Sequence, residues 1–282
     1  MEKRHPVWLL PNLLSLDAPI VAAVWAWVFA ETWQVQWVDQ KIFYTLPGIV
    51  WMIYLIDRFI DNHTSKGART KTSSRHAFHH EHWGKLKLLL FSLGGFCLAM
   101  ILMLPKGIFW HVIPIMVLVS IYFFLALFES GANEKPSIFK NAIAGYTFSY
   151  GVAMGIFFFR PSVYSIELMW NKEMVLFGGL CICNITAIDL WEQSRASSQR
   201  EVKGYYEFLL TAPLFFIVVS SLYLAVRGDN YAQPFYITIM LSAGLLQLTN
   251  RYRSRFSLDA LRAMVDAALI IPAPVFWLYT QY

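Results

Sequence analysis

Hydrophobic residues in this chain form long runs that are separated by short polar segments. Runs long enough to cross about 30 Å of hydrocarbon fall at about 13–30, 42–60, 86–104, 108–128, 141–159, 174–191, 208–226, 235–250 and 258–279. The first run is interrupted near its start by Asp17 and Pro19, and the eighth is short. The pattern predicts an all-α, polytopic membrane protein with about nine transmembrane helices in one bundle.

The composition agrees with this class of protein. Of the 282 residues, 57% are hydrophobic and 15% are charged, and the mean hydropathy is +0.47. A soluble domain has roughly a quarter of its residues charged. We therefore expect a single transmembrane helical domain over residues 1–282, with its longest connection, at about 62–85, between spans two and three.

The positions of lysine and arginine predict the orientation. If the N-terminus is cytoplasmic, 18 of the 23 basic residues fall in cytoplasmic segments, as the positive-inside rule requires. We expect a multi-pass protein of a bacterial-type inner membrane with a cytoplasmic N-terminus. The net charge of +5 then reflects topology and anionic lipid, and no nucleic-acid partner is expected.

The end of the second span is unusually polar, because the segment at 54–82 reads YLIDRFIDNHTSKGARTKTSSRHAFHHEH. Asp57 and Asp61 are four residues apart, so both lie on one helix face, with Tyr54 one turn before them. Like charges repel unless a cation lies between them, and Mg²⁺ suits carboxylates that also leave room for phosphate oxygens. The alternative is a pair of solvated interfacial acids that flank Arg58.

A second polar helix end follows span six, in the segment CNITAIDLWEQSRASSQRE. Asp189 and Glu192 are three residues apart and share a face, and Arg195 follows at the boundary. Ionisable residues near membrane depth cost a few kcal/mol each, so they indicate function. Both acidic ends are predicted on the cytoplasmic side, where together they could bridge a metal–diphosphate.

With these motifs, the chain resembles the UbiA superfamily of intramembrane prenyltransferases over essentially its whole length. That family has nine transmembrane helices, with aspartate-rich motifs at the cytoplasmic ends of helices two and six. Its first motif, Asn-x-x-Asp-x-x-x-Asp, corresponds to Tyr54-x-x-Asp57-x-x-x-Asp61. The family's basic loop carries Arg-Thr and then Arg-Pro, which correspond to Arg69-Thr70 and Arg75-His76.

The second family motif is less well matched. A phrase such as Asp-x-Glu-Gly-Asp-Arg corresponds to 190–195, where Glu192 and Arg195 are retained. Leu190 and Ser194 occupy the two aspartate positions, and Asp189 is displaced by one residue, which is about 100° around a helix. Asp189 is expected either to substitute for a motif aspartate or to mark a lost second metal site.

The resemblance implies transfer of an isoprenoid group from a prenyl diphosphate to a small-molecule acceptor, lipophilic or aromatic, with Mg²⁺ as cofactor. The acidic residues implied as catalytic and metal-binding are Asp57, Asp61, Asp189 and Glu192. The residues implied to bind substrate are Tyr54, Arg58, Lys66, Arg69, Arg75 and Arg195. A non-catalytic relative of the same fold is the main alternative, and the oligomeric state stays open.

The histidines allow a different class of enzyme. His76, His79 and His80 fit the His-x-x-His-His box of membrane di-iron desaturases and hydroxylases, with Glu81 and His82 adjoining. Those enzymes use about eight histidines in three boxes, whereas this chain has seven in all. The other interpretations are an interfacial face at the start of span three, or one histidine that assists proton transfer.

Three further polar residues lie inside predicted spans. Asp17 has no partner that the sequence assigns. Asn184 lies about 140° around its helix from Asp189, so it is expected to bond a neighbouring helix and not a metal. Asp266 follows Arg262 by four residues, a spacing that predicts an ion pair within one helix.

Overall fold

The computed structural model describes residues 6–64, 78–79, 81–129, 137–160, 165–228 and 230–281, with the backbone only at 61–64, 128–129 and 165–166. Within these ranges all regular secondary structure is helical. The longer helices are α1 Asp17–Thr32, α2 Ile42–Thr64, α3 Trp83–Leu102, α4 Ile108–Glu129, α5 Ile138–Phe157, α6 Lys172–Ala196, α7 Arg200–Arg227, α8 Gln233–Tyr252, α9 Leu258–Ile270 and α10 Ala273–Thr280. Short helical turns lie at Val7–Leu9, Leu10–Leu13, Ser165–Leu168 and Arg253–Arg255. The predicted all-α class is confirmed.

Six helices among the described residues are long and apolar enough to cross a membrane. They are the segments Ile42–Ile60, Trp83–Leu102, Ile108–Leu127, Lys172–Ala196, Arg200–Arg227 and Leu258–Thr280. The number rises to seven if the bent pair Val7–Leu13 and Asp17–Thr32 is taken as one span. These helices are compatible with a multi-pass membrane protein, while the expected count of nine spans is not confirmed.

The remaining two predicted spans correspond to α5 and α8, which are helices of 20 residues each. Both carry polar side chains that the fold buries: Asn141, Thr147, Ser149, Thr238, Ser242, Thr249 and Asn250. Polar side chains that face neighbouring helices lower the mean hydropathy of a helix although they do not face lipid. The mean hydropathy of α5 and α8 is therefore a poor guide to whether they cross a membrane.

The first span, predicted at about 13–30, begins later in the structure. Its helix starts only at Asp17, and the preceding turn, which ends at Leu13, is bent away from it by 84°. Ser15 lies in the bend with a φ of 55°, and Asn12 Nδ2 donates to Asp17 Oδ2 at 2.6 Å. Pro19 is tolerated because the first turn of a helix has no partner for its N–H groups.

The boundaries of the predicted connection at 62–85 also differ. Helix α2 continues to Thr64, so Asp61 lies on the helix, and α3 begins at Trp83. Residues 65–77 and 80 lie outside the described residues. The acidic pair Asp57 and Asp61 is therefore carried by regular helix, which preserves the four-residue spacing on one face.

A buried aromatic cluster joins α1, α6 and α8. The Trp25 ring stacks on Phe177 with centroids 4.3 Å apart and meets Phe235 edge-on at 5.7 Å. Phe29 contacts the same two rings at 5.5 and 5.3 Å. Trp25 Nε1 donates to the Leu269 carbonyl at 3.0 Å, which adds α9 to the cluster. Such aromatic pairs stabilise a core by about 0.5–1.5 kcal/mol each beyond burial.

Helices α5 and α6 approach each other most closely at Gly145. A Cβ placed on Gly145 would lie 2.7 Å from both the Cα and the N of Ile182. This distance is below any normal contact, so only glycine allows the two backbones to pack here. The contact matters for the site because α5 carries Asn141 and α6 carries Asp189.

We predict that Gly145→Ala separates α5 from α6 and lowers stability by about 1–3 kcal/mol, the usual cost of overpacking. The measurement is thermal unfolding of the detergent-solubilised protein. Gly244→Ala on α8 is the control, because no heavy atom lies within 4 Å of the added Cβ. Equal midpoints for the two variants would show that the backbones do not meet at Gly145.

Candidate functional site

Asp57, from the first motif, is held by residues of two helices. Tyr122 Oη on α4 donates to Asp57 Oδ1 at 2.6 Å. Arg58 Nη1 lies 3.7 Å from Asp57 Oδ2, and both side chains are largely buried, at 16% and 14% exposure. The side chain of Asp61 lies outside the described residues. The solvated interfacial pair that the sequence also allowed does not describe Asp57, whose carboxylate contacts protein donors.

Asp189, from the second helix end, contacts α5. Asn141 Nδ2 donates to Asp189 Oδ2 at 2.8 Å. Arg58, Lys140 and Glu192 all lie close enough to act on the Asp189 carboxylate electrostatically. Arg58 thus lies beside Asp57 and also acts electrostatically on Asp189.

Glu192 forms an ion pair with Arg262 of α9. The same guanidinium contacts Asp259, with Nη1 to Oδ1 at 3.2 Å. Arg262 is 6% exposed, whereas the Glu192 side chain is 41% exposed, so the pair lies at the edge of the buried region. The predicted pair of Arg262 with Asp266 stays a prediction. Removing one partner of a buried pair leaves the other charge uncompensated, which is strongly destabilising.

Tyr54 faces the interior of the bundle. It lines a small cavity together with Phe148, Cys181, Asn184 and Asp266. The cavity volume of about 10 Å³ matches the space that one water molecule needs. Its polar lining, which includes a tyrosine, an amide and a carboxyl group, suits such a water.

Asn184 and Asp17, two of the polar residues predicted inside spans, both have hydrogen-bond partners in the structure. Asn184 Nδ2 donates to the Val265 carbonyl of α9 at 2.9 Å, which confirms the expectation that it bonds a neighbouring helix. Asp17 accepts from Asn12 Nδ2 at 2.6 Å and from its neighbouring backbone N–H of Ala18 at 3.1 Å. Asp17, Asp57, Arg58 and Asp266 all act electrostatically on Tyr54.

These contacts connect the charged residues into one polar cluster. Among the described residues its acids outnumber its bases by six to three, the members being Asp17, Asp57, Asp189, Glu192, Asp259, Asp266 and Arg58, Lys140, Arg262. The polar cluster thus brings acids of both predicted helix ends together with basic side chains.

Three of the four predicted metal ligands, all except Asp61, have described side chains. Within the described part of the chain, no group of three or more His, Cys, Asp or Glu side chains is arranged to hold a metal ion. Asp57, Asp189 and Glu192 each contact a different protein donor: Tyr122, Asn141 and Arg262. Their oxygen chemistry fits a hard divalent cation, and a complete set would have to include Asp61.

Of the predicted substrate-binding residues, Lys66, Arg69 and Arg75 lie outside the described residues. Arg195 is exposed, and its Nη2 donates to the carbonyl of Arg253 at 3.1 Å and to that of Phe256. It thereby supports the turn between α8 and α9. A role for Arg195 in substrate binding stays a prediction.

The described histidines have structural partners. His79 is 1% exposed, and its Nε2 lies 2.9 Å from the Leu13 carbonyl. The His82 ring stacks on Phe78 with centroids 4.3 Å apart. His76 and His80 lie outside the described residues. The interfacial face, the proton-transfer role and the di-iron box all stay predictions.

Sequence reasoning missed Tyr122 and Asn141, the residues that orient Asp57 and Asp189. Both lie among other polar residues of largely apolar helices, so the only signal was their predicted depth near an acidic helix end. Arg262 also contacts Asp259 across a three-residue helix spacing, and this contact was not predicted. Its contact with Glu192 crosses 70 positions and has no local signature.

Comparison of the chain with protein-family models, with curated proteins and with solved structures returned no match. The resemblance to the UbiA superfamily therefore depends on the motif residues and the order of the predicted spans.

We predict that Arg262→Met lowers stability by about 1–3 kcal/mol, because it leaves Glu192 and Asp259 without their shared cation. The predicted loss of stability is smaller than for a fully buried ion pair because the Glu192 side chain is 41% exposed. Adding Glu192→Gln should recover part of the loss, since one uncompensated carboxylate is then removed. Thermal unfolding of both variants measures this.

The control for this prediction is Arg200→Met, an exposed arginine at the start of α7, which should change stability by less than about 0.5 kcal/mol. If the double variant were no more stable than Arg262→Met alone, Glu192 and Arg262 would not be energetically coupled.

Proposed function

We propose that this protein is a divergent intramembrane prenyltransferase, which transfers an isoprenoid group from a prenyl diphosphate to a lipophilic or aromatic acceptor with Mg²⁺. The observation that carries the proposal is the position of Arg58, which acts on Asp57 of α2 and on Asp189 of α6. This shared electrostatic partner supports an arrangement in which the two acidic helix ends would border one polar region and bind a metal–diphosphate together. In this proposal α1 to α8, with α9 and α10 as one segment, form nine spans, with the N-terminus cytoplasmic.

Asp57, Asp61, Asp189 and Glu192 would hold the metal. Bound Mg²⁺ would neutralise charge on the diphosphate as the allylic C–O bond breaks and its electron pair leaves with the phosphate oxygen. Tyr122 and Asn141 fix the orientation of two of these carboxylates through hydrogen bonds of 2.6 and 2.8 Å.

The basic residues and the apolar helices have separate roles. Arg58, with Lys66, Arg69 and Arg75 of the following segment, would bind the diphosphate oxygens. The acceptor then forms a bond to the allylic carbon and loses a proton. Apolar side chains of the bundle would surround the isoprenoid chain and exclude water from the allylic cation. Tyr54, one turn before Asp57 and Arg58, would contact the diphosphate end of the substrate in this proposal.

A non-catalytic relative of the same fold is the second candidate, and two observations favour it. Leu190 and Ser194, which stand at the motif aspartate positions of the resembled family, are buried at 1% and 6% exposure. Glu192 is paired with Arg262, so it must leave a guanidinium to bind a metal. Such a protein would keep the polar cluster as a structural element and transfer nothing.

We predict that Asp57→Asn and Asp61→Asn each reduce prenyl transfer by about 10²-fold or more, because each removes a ligand whose charge matters most in the transition state. Asp189→Asn and Glu192→Gln should also reduce it. The assay follows labelled prenyl diphosphates of increasing chain length in membranes that contain each variant, with protein amount and thermal stability measured in parallel.

Glu201→Gln is the matched control, an exposed acid in the first turn of α7 that should leave transfer unchanged. Wild-type protein that is folded and supplied with Mg²⁺ but transfers nothing from the whole donor series would favour the non-catalytic relative.

A second prediction distinguishes a magnesium-dependent enzyme from a di-iron enzyme. Purified protein should bind Mn²⁺, as a paramagnetic substitute for Mg²⁺, tightly when a prenyl diphosphate is present and weakly without it, because the diphosphate supplies part of the oxygen ligands. Paramagnetic resonance of free Mn²⁺ measures this. Stoichiometric iron that is lost in a folded His79→Ala variant would instead support the di-iron enzyme.

A further inference from the structure

An apolar groove lies beside the connection between α8 and α9, where Arg255 lines it and Arg251 immediately precedes the lining residue Tyr252. The groove has a volume of about 340 Å³, and Leu245, Leu248, Met264, Ala267 and Ile271 line its apolar part. Tyr252 and Arg255 line the end next to the turn. Leu245 and Tyr252 are seven residues apart on α8, so the groove extends about 10 Å along the helix axis.

The arginines of this turn fall into two groups. Arg253 is engaged, with Nη2 3.0 Å from Glu207 Oε2 and Nη1 2.8 Å from the Asn250 carbonyl. Arg251 and Arg255 are exposed, and neither forms an ion pair with a carboxylate that the structure describes. The Arg255 guanidinium carbon lies 4.9 Å from the centroid of the Tyr252 ring, which orients its charge at the mouth of the groove.

The turn itself is held in place. Arg195 of α6 donates to the carbonyls of Arg253 and Phe256, so α6 fixes the backbone on both sides of Arg255. Trp191 Nε1 donates to Asn250 Oδ1 at 2.9 Å and anchors the last turn of α8. The two available cations are therefore presented by a rigid backbone and not by a loose loop.

The groove opens outward beside a segment that is apolar enough to span a membrane, Leu258–Thr280, with a mean hydropathy of 1.6. Leu248 and Ile271 at its rim are 54% and 60% exposed. An outward apolar groove on a membrane-spanning helix would face acyl chains, and Tyr252 with Arg255 has the composition of a membrane interface. Basic pockets at helix ends attract anionic headgroups.

We propose that this groove binds one anionic glycerophospholipid, with its phosphate at Arg255 and Arg251 and one acyl chain along Leu245, Leu248 and Ala267. The charge of the site selects the lipid, because two cations without protein carboxylates are balanced by a net negative headgroup and not by a zwitterionic one. The inference is independent of the proposed prenyl transfer, since none of these residues belongs to the polar cluster.

The test is native mass spectrometry of the full chain released from nanodiscs with equal phosphatidylglycerol and phosphatidylcholine. Wild type should retain one phosphatidylglycerol in preference to phosphatidylcholine. Arg255→Gln and Arg251→Gln should each weaken this preference about fivefold, which corresponds to the attraction of one basic residue near an anionic surface. Arg255→Lys should keep most of it. Ala267→Phe should abolish retention by filling the groove.

Two controls separate the site from general surface charge. Arg200→Gln changes an exposed arginine of α7 outside the groove, and Val219→Phe places the same aromatic ring at an exposed position of α7. Both should retain lipid as wild type does. Equal retention of both lipids by wild type, or equal loss in Arg200→Gln and Arg255→Gln, would overturn the proposal. If Arg255→Gln does not fold, Ala267→Phe against Val219→Phe decides the question.

Discussion

The cost of burying ionisable side chains governs the arrangement of this bundle. A carboxylate or guanidinium that leaves water must find a partner, since an uncompensated charge in a low-dielectric interior costs several kcal/mol. Each described acid of the two helix ends contacts a donor from another helix: Asp57 with Tyr122, Asp189 with Asn141 and Glu192 with Arg262. These contacts join α2 to α4, α5 to α6, and α6 to α9. The polar cluster is therefore also a structural link between five helices, which explains why polar residues persist in a chain that is 57% hydrophobic.

The aromatic cluster and the glycine contact make that linkage possible. Trp25, Phe177 and Phe235 form the apolar layer that holds α1, α6 and α8 together. The contact of Gly145 with Ile182 brings α5 against α6 about one turn from Asn141, so its amide reaches Asp189. A wider separation of these two helices would leave Asp189 without this donor. Apolar packing thus sets the distances on which the charged contacts depend, and a small residue in one helix determines the environment of an acid in the next.

Much of the fold could be predicted from the sequence, because helices follow from local hydrophobic runs and an all-α class follows from their lengths. The start of α1 could not, since the bend at Ser15 depends on the contact between Asn12 and Asp17. Within the candidate site, the spacing of Asp57 and Asp61 and the depth of Asp189 identified the polar helix ends. Their partners could not be identified, because Tyr122 lies 65 positions from Asp57 and Arg262 lies 70 positions from Glu192. Contacts of that separation are set by helix packing, for which a single sequence has no periodic signal.

The partners also rank the acids as ligands in the proposed metal site. Asp57 and Asp189 accept hydrogen bonds from the neutral donors Tyr122 and Asn141, and such a donor can remain on one oxygen while a cation binds the carboxylate. Glu192 contacts the guanidinium of Arg262, which bears a full positive charge and repels a second cation. In the proposed site, binding at Glu192 would therefore require its ion pair to open, and binding at Asp57 would require Arg58 to move toward the diphosphate. The displaced acid Asp189 is for this reason a better substitute for the missing motif aspartates than the retained Glu192, although Glu192 is the residue that matches the family pattern.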